Sequence, residues 1–83
     1  MTVSQGTLLI VNPAAGGGRA ARALDRVLEE LAPLGPFDVY VTQPGEARPA
    51  ERAARDAVLA GVERILVLGG DGSSSQAANG IYA

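Results

Sequence analysis

The sequence predicts an α/β fold in which three parallel strands alternate with three helices. Apolar runs of strand length recur along the chain, segments with helical spacing separate them, and Gly or Pro stands near each junction. About a dozen or more residues separate consecutive strands, which is the length that a crossover between parallel strands needs. The predicted order is β-α-β-α-β-α in three layers, and a sheet of only three strands is expected to be incomplete.

The first predicted strand is Thr7–Val11, a continuous apolar run typical of a strand that is covered on both faces. The first predicted helix spans residues 19–34, because its apolar residues recur at the spacing of one helical face. These residues are Leu24, Val27, Leu28 and Leu31. The residues expected to end this helix are Pro33, Gly35 and Pro36.

The second half of the chain repeats the alternation. Residues 37–42 have the β-branched and aromatic bias of a second strand. Pro49 suits the first turn of a second helix, where a missing N–H costs nothing, and Ala residues recur at helical spacing as far as Gly61. Arg64–Leu68 is the third predicted strand, and a third helix is expected over 73–79 with a Ser cap.

The composition excludes several classes of chemistry. The 83 residues include no Cys and no His, which excludes disulfides, thiolate or imidazole metal sites and Ser-His-Asp catalysis within this chain. The seven basic residues are all Arg, so a P-loop lysine or a protein-kinase lysine is excluded too. The net charge of -2 provides no basic field for nucleic acid, and no metal ligand is assigned. Since no signal peptide or membrane span is evident, we expect a cytoplasmic protein with at most peripheral membrane contact.

Loops rich in Gly, Pro or hydroxyl groups follow the predicted strands, over residues 12–18, 42–46 and 69–75. In a parallel sheet these loops lie together at the carboxyl edge, where open α/β sheets bind ligands. Glycines let the backbone approach phosphate oxygens, and the free N–H groups of a helix N-terminus attract anions. The loops therefore predict a phosphate cradle. The alternative is that α/β turns simply need Gly and Ser.

A dinucleotide fingerprint is weakly matched by residues 16–21, which fit G-x-G-x-x-A. The first Gly lies four positions beyond Asn12 rather than directly at the strand end, and Thr42 stands where an NAD site needs an acid for the ribose. These departures disfavour a dehydrogenase. We expect Arg19, which follows the glycines, to be a solvated cation rather than a phosphate ligand, and the helical Arg residues to pair with neighbouring acids.

The motifs at these loops together resemble one family. Asn12-Pro13-x-Ala15-Gly16 follows the first strand, Thr42 with Gly45-Glu46-Ala47 follows the second, and Gly69-Gly70-Asp71-Gly72-Ser73 with Asn79-Gly80 follows the third. In these motifs the chain is similar to the diacylglycerol kinase catalytic-domain family, which includes bacterial lipid kinases and sphingosine and ceramide kinases. The Gly-Gly-Asp-Gly tetrad alone also occurs in NAD kinases and phosphofructokinases. The Asn-Pro loop and the Asn-Gly pair narrow the resemblance to the lipid kinases.

The resemblance implies a nucleotide-binding domain that uses ATP and Mg²⁺, with the glycine loops holding the ATP phosphates. The residues implied to contact ATP are Asn12, Pro13, Ala14, Ala15, Gly16, Thr42, Gly69, Gly70, Asp71, Gly72, Ser73, Ser74 and Ser75. It also implies a second, β-rich domain, beyond residues 1–83, that supplies the catalytic base and acts on a lipid such as diacylglycerol. The chain alone is then expected to bind nucleotide without completing phosphoryl transfer.

Asp71 is the candidate catalytic residue in this chain. A carboxylate beside a triphosphate needs Mg²⁺ or a hydroxyl partner, whereas the structural alternative is a helix N-cap. The chain departs from the family just beyond it, because Ser75 replaces an amide and Gln76 replaces a carboxylate.

Two alternative functions stay open at this point. The first is an NAD kinase-like enzyme or a sugar kinase. The second is a non-catalytic nucleotide-binding module, which Ser75 and Gln76 favour. The open edges of a three-stranded sheet also predict self-association.

Overall fold

In the computed structural model, which describes residues 6–82, a parallel three-stranded sheet has the strand order β2-β1-β3. The elements are β1 (Thr7–Val11), α1 (Ala15–Leu31) with a 3-10 turn at Ala32–Leu34, β2 (Asp38–Val41), α2 (Pro49–Leu59), β3 (Arg64–Leu68) and α3 (Asp71–Tyr82). The predicted α/β class, the alternation of elements and the parallel pairing are confirmed. No helix within residues 6–82 has both the length and the apolar character needed to cross a membrane.

The element boundaries differ from the sequence prediction at several places, among them the start of α1, which is Ala15 rather than residue 19. The second strand is shorter than residues 37–42 and covers Asp38–Val41. The last turn expected in the first helix is a separate 3-10 turn, since Pro33 stands in its first positions. The third helix begins at Asp71 rather than Ser73, so Ser73 lies inside the first turn and the prediction that it caps the helix was wrong.

The main core lies between the sheet and the pair α2 and α3. Leu8 and Ile10 of the central strand are fully buried there against four alanines of α2 and one of α3. The four α2 alanines are Ala50, Ala53, Ala54 and Ala57. Because alanine side chains are short, α2 can lie close to both the sheet and α3.

The opposite face of the sheet carries α1. Leu9 and Val11 are buried on this face, opposite to Leu8 and Ile10, because side chains alternate along a strand. Leu31 of α1 borders the same crevice as Leu66 of β3, so the helix runs over β1 and β3. On β2, the register places Val39 and Val41 beside Leu9 and Val11, yet they are 41% and 38% exposed. The α1 layer therefore leaves the β2 side of this face partly uncovered.

A glycine permits the close contact between α2 and α3. Gly80 of α3 is buried, and a β-carbon there would overlap the carbonyl oxygen of Glu51 and lie 3.0 Å from the Ala54 β-carbon. The backbone of α2 cannot move away without opening the alanine-lined core beneath it. Gly80, noted in the sequence as part of a family motif, thus has a packing role.

We predict that Gly80→Ala lowers the free energy of unfolding by about 1–3 kcal/mol, the usual cost of overpacking a dense contact. Gly72→Ala in the same helix is the matched control, because a β-carbon there meets nothing within 4 Å and Ala is the better helix former. Urea unfolding followed by circular dichroism measures both. Equal stability of Gly80→Ala and the wild type would contradict this packing.

Candidate functional site

Backbone hydrogen bonds gather the strand-end loops at one edge of the sheet. The Asn12 N–H donates to the Leu68 carbonyl at 2.9 Å, and the Thr42 N–H donates to the Val11 carbonyl at 2.8 Å. Each bond continues the parallel ladder by one residue beyond the strand. The loops after β1, β2 and β3 therefore begin side by side, as the sequence predicted.

The first loop turns sharply at Asn12 and then winds through three glycines. The Asn12 Oδ1 accepts a hydrogen bond from the Ala14 N–H at 3.2 Å, and the Asn12 carbonyl accepts one from the Ala15 N–H at 3.1 Å. Gly16, Gly17 and Gly18 follow with φ of 63°, 67° and 92°, in the left-handed region. A residue with a side chain costs about 1–2 kcal/mol at each such position, so the loop requires glycine. The regular, right-handed part of α1 follows these glycines.

Asn12 also links the first loop to the third. Its Nδ2 donates to the Oγ of Ser73 at 3.3 Å, and Ser73 is buried at 7% exposure. Gly69 allows this approach, because a β-carbon there would lie 3.0 Å from the Ser73 Oγ and 3.3 Å from the Asn12 β-carbon. One side chain thus ties the Asn-Pro loop to the start of α3.

The second loop is held by Glu46. Its carboxylate accepts hydrogen bonds from the Tyr40 hydroxyl and from the Gln43 N–H, each at 2.5 Å. The bond to Tyr40, followed by that to Gln43, lowers the pKa of Glu46. The same bond, followed by burial, raises the pKa of Tyr40 above its ordinary value of 10.0. The loop is thereby fixed beside Thr42, which is buried at 7% exposure.

Two clefts open at this edge. The first, which we name the proline cleft, has a volume of about 290 Å³ between the first two loops and α3. It is lined by Asn12, Pro13, Ala14, Thr42, Gln43, Pro44, Pro49, Ser73 and Gln76. None of these nine side chains is charged. The cleft offers amide and hydroxyl groups between apolar proline rings.

The second, which we name the glycine cleft, has a volume of about 280 Å³ on the α1 side of the same edge. It is lined by Ala15, Gly16, Arg19, Ala20, Ala23, Leu68, Gly69 and Gly70. Arg19 brings a positive charge to this cleft. Because Asn12 lines the first cleft and the neighbouring Gly69 lines the second, the two clefts adjoin.

The predicted site residues divide between these clefts. Five of them line the proline cleft: Asn12, Pro13, Ala14, Thr42 and Ser73. Four line the glycine cleft: Ala15, Gly16, Gly69 and Gly70. Gly72, Ser74 and Ser75 are exposed and line neither cleft. The backbone of Asp71 opens α3, but its side chain lies outside the described part of the structure.

Four residues that line the proline cleft were not among the predicted ATP contacts: Gln43 and Pro44, which lie in the predicted loop over 42–46, and Pro49 and Gln76. The prolines were interpreted only as turn and helix-start signals. Gln76 could have been found from helical spacing, because it lies three residues after Ser73 and so shares its face of α3.

The predicted pairing of Arg residues with acids is confirmed at three ion pairs, of which two share the half-buried Glu51. Arg26 pairs with Glu30 at 3.2 Å, and Glu51 pairs with Arg48 at 3.0 Å and with Arg55 at 3.5 Å. Among the side chains that the structure describes, which do not include that of Asp71, no group of three or more Asp or Glu residues is placed to hold a metal ion.

The Tyr40–Glu46 hydrogen bond predicts that the stability of the fold depends on pH at both acidic and alkaline values. Since the pKa of Glu46 is lowered, the bond stabilises the fold at pH values above the ordinary pKa of a Glu side chain. This contribution is lost as the pH falls through the lowered pKa. Since the pKa of Tyr40 is raised, the contribution holds below pH 10.0 and is lost as the pH rises through the raised value.

We therefore expect Glu46→Gln to lower the pKa of Tyr40 relative to the wild type. Ultraviolet absorbance of the phenolate measures it, with Tyr82→Phe as the common background so that a single tyrosine titrates. A Tyr40 pKa that is unchanged by Glu46→Gln would show that the bond does not form in solution.

Comparisons with known proteins identify the family and the fold of the chain. The family model described as "Diacylglycerol kinase catalytic domain" matches residues 6–83. A solved structure titled "A putative diacylglycerol kinase from Bacillus anthracis str. Sterne" superposes with a TM-score of 0.77 at 31% identity, covering 96% of this chain. A second structure with a similar title, from the same organism, gives a TM-score of 0.78 at 30% identity over 98% of this chain.

The match covers only part of those structures, because the chain corresponds to 28% and 27% of their lengths. A search of curated proteins finds no match. The family model nevertheless covers nearly all of the present sequence, and the two solved structures share its fold at recognisable identity. The chain belongs to the diacylglycerol kinase catalytic-domain family.

Proposed function

We propose that this chain is the nucleotide-binding part of an ATP-dependent lipid kinase, which transfers the γ-phosphoryl group of ATP to a hydroxyl of a lipid such as diacylglycerol. The observation that carries the proposal is the Asn12 junction. It ties the Asn-Pro loop to Ser73 at the carboxyl edge of a parallel sheet, in a chain that belongs to this family. Open α/β sheets bind ligands at that edge.

The residues of the glycine cleft suit the phosphates of ATP. In the glycine cleft the backbone can approach phosphate oxygens closely, since Gly16, Gly69 and Gly70 have no side chains, and Arg19 adds positive charge. This arrangement favours a role for Arg19 that the sequence alone disfavoured. The chain's contribution is to bind and orient the nucleotide, which is the main requirement of phosphoryl transfer.

Mg²⁺ belongs to the proposal as a partner of the ATP phosphates, where it would neutralise their charge. The described side chains form no acidic cage for it. Asp71 remains the proposed catalytic residue because of its place between two glycines at the start of α3. Its role is to pair with a hydroxyl or with the nucleotide's metal.

The lipid and the catalytic base are proposed to involve a second, β-rich domain outside residues 1–83. The solved relatives are more than three times as long as the aligned segment, which leaves room for such a domain in proteins of this kind. A cytoplasmic location with at most peripheral membrane contact accompanies this proposal.

Other functions are less well supported. An NAD kinase-like enzyme or a sugar kinase is disfavoured by the family match, which covers the Asn-Pro loop and the Asn79-Gly80 pair. A non-catalytic nucleotide-binding module remains the second candidate, because Ser75 and Gln76 replace an amide and a carboxylate of the family pattern. Self-association through the unpaired edges of β2 and β3 also remains a prediction.

Calorimetry of the 83-residue chain with ATP and Mg²⁺ tests the proposal. We expect the wild type to bind, and Asn12→Ala to weaken ATP binding by about tenfold or more, because it releases both the turn at Ala14 and the link to Ser73. The matched control is Arg26→Ala, which removes an exposed ion pair on α1 away from both clefts and is expected to bind as the wild type does.

No heat of binding from the folded wild type at millimolar ATP would overturn the proposal. Equal affinities of Asn12→Ala and the wild type, with both folded by circular dichroism, would remove the Asn12 junction as its basis.

A further inference from the structure

The outer edge of β2 carries backbone groups that face away from the sheet. The Thr42 N–H donates to the Val11 carbonyl, so Thr42 faces β1. Because the direction of the backbone groups alternates along a strand, Val39 and Val41 direct their N–H and C=O groups away from β1. In the described part of the chain, β2 is an end strand of the sheet. Such an edge is a template for another strand.

The side chains of β2 make this edge more suited to association than the edge of β3. Val39 and Val41 are exposed on the face that α1 leaves partly uncovered. The four residues of β2 include neither Lys nor Pro, which commonly keep the edges of natural sheets apart. The apolar residues of β3, by contrast, are all partly buried within the chain.

The outward backbone groups select one arrangement for a pair of β2 strands. In an antiparallel pair, two opposed residues whose backbone groups face each other exchange two hydrogen bonds. Val39 opposite Val41 of a second copy meets this condition, and the symmetric pair repeats it. Tyr40 then lies opposite Tyr40 of the second copy, on a two-fold axis. This register uses every outward N–H and C=O group of β2.

Asp38 supports the same register. Its Oδ2 is shielded from solvent and has no hydrogen-bond partner, which is uncommon in folded proteins. In the register above, Asp38 lies opposite Thr42 of the second copy, whose hydroxyl can donate to the Oδ2. Association thereby supplies a donor that the single chain lacks. The alternative role of Asp38 is to keep edges apart, as inward-pointing charges do at other sheet edges.

The charges on α2 are complementary across the same axis. The hydrogen bond to Glu46 is the main cause of the raised pKa of Tyr40, and the charges of Arg52 and Asp56 act on it with opposite signs, so both lie near Tyr40. Both are exposed, and neither belongs to an ion pair among the described residues. A two-fold axis at Tyr40 reverses their order in the second copy. Arg52 then faces Asp56 of the second copy, and Asp56 faces its Arg52.

We propose that a second copy of this chain binds at the β2 edge, so that two β2 strands pair antiparallel about a two-fold axis at Tyr40. The inference is independent of the proposed nucleotide-binding function, because it rests on the side of the sheet rather than on its carboxyl edge. A strand of four residues buries little area. We therefore expect a weak dimer, with a dissociation constant in the micromolar range or above.

Sedimentation equilibrium of the 83-residue chain, at concentrations from about 1 μM to 1 mM, measures this constant. We expect Val39→Lys to raise it about tenfold or more, because the change removes two valine contacts from the symmetric pair and places charges at the edge. The matched control is Val58→Lys. Val58 is exposed to a similar extent, at 43% against 41% for Val39, and lies on the side of α2 away from Asp56. We expect it to associate as the wild type does.

A charge exchange tests the two-fold arrangement itself. Arg52→Asp or Asp56→Arg alone places like charges opposite each other twice, and each is expected to raise the dissociation constant about two- to tenfold. The double variant Arg52→Asp/Asp56→Arg restores the complementarity and is expected to associate as the wild type does. Failure of the double variant to recover would overturn the proposed axis.

Amide hydrogen exchange identifies the edge directly. We expect the amides of Val39 and Val41 to become protected as the concentration rises, whereas the outward amides of β3, at Ile65 and Val67, do not change. Protection at β3 instead, or a wild type that stays monomeric at about 1 mM, would overturn the inference. A tighter dimer of Asp38→Ala would overturn the register, since Asp38 would then oppose association. ATP binding by a chain that stays monomeric would remove this inference alone, and a dimer that binds no ATP would remove only the proposed function.

Discussion

The central position of β1 is the constraint on which the rest of the structure depends. Because β1 pairs in parallel with both neighbours, the ends of all three strands meet at one edge. Asn12, the first residue after β1, continues the ladder through Leu68 and reaches Ser73 through its side chain. A side chain at the end of an edge strand would have neighbours on one side only. Only the end of the central strand lies beside the loops that follow both of its neighbours.

Small residues allow the helices to pack closely against the central strand. The alanines of α2 and the glycine at position 80 bring α2 and α3 together over one face of β1, and Gly69 lets Ser73 approach Asn12. A β-carbon or a longer side chain at these places would separate the helices from the sheet and displace the loop residues that follow. The small residues that bring the helices close to the sheet therefore also determine where the strand-end loops lie.

The periodicity of the sequence predicted the strands and their parallel pairing well, since continuous apolar runs and long crossovers depend on local composition. Thr7–Val11 and Arg64–Leu68 have the predicted bounds. The start of α3 was missed because Asp71 and Gly72 were interpreted as loop residues, whereas the helix takes them into its first turn. The gathering of loops was also predicted. The sequence did not predict which residues border each cleft. The positions of Pro49 and Gln76 depend on how α2 and α3 pack together, and the spacing of residues along the chain does not contain that information.

The most direct test of the account is the location of ATP on the folded chain, which amide chemical shifts in nuclear magnetic resonance spectra report residue by residue. If the carboxyl edge holds the nucleotide, ATP shifts the amides of the loops over residues 12–18 and 69–75 together with Thr42. The amides at the amino edge of the sheet, such as Gly6 and Asp38, then remain unchanged. Shifts confined to that amino edge, or none at millimolar ATP, would contradict the account.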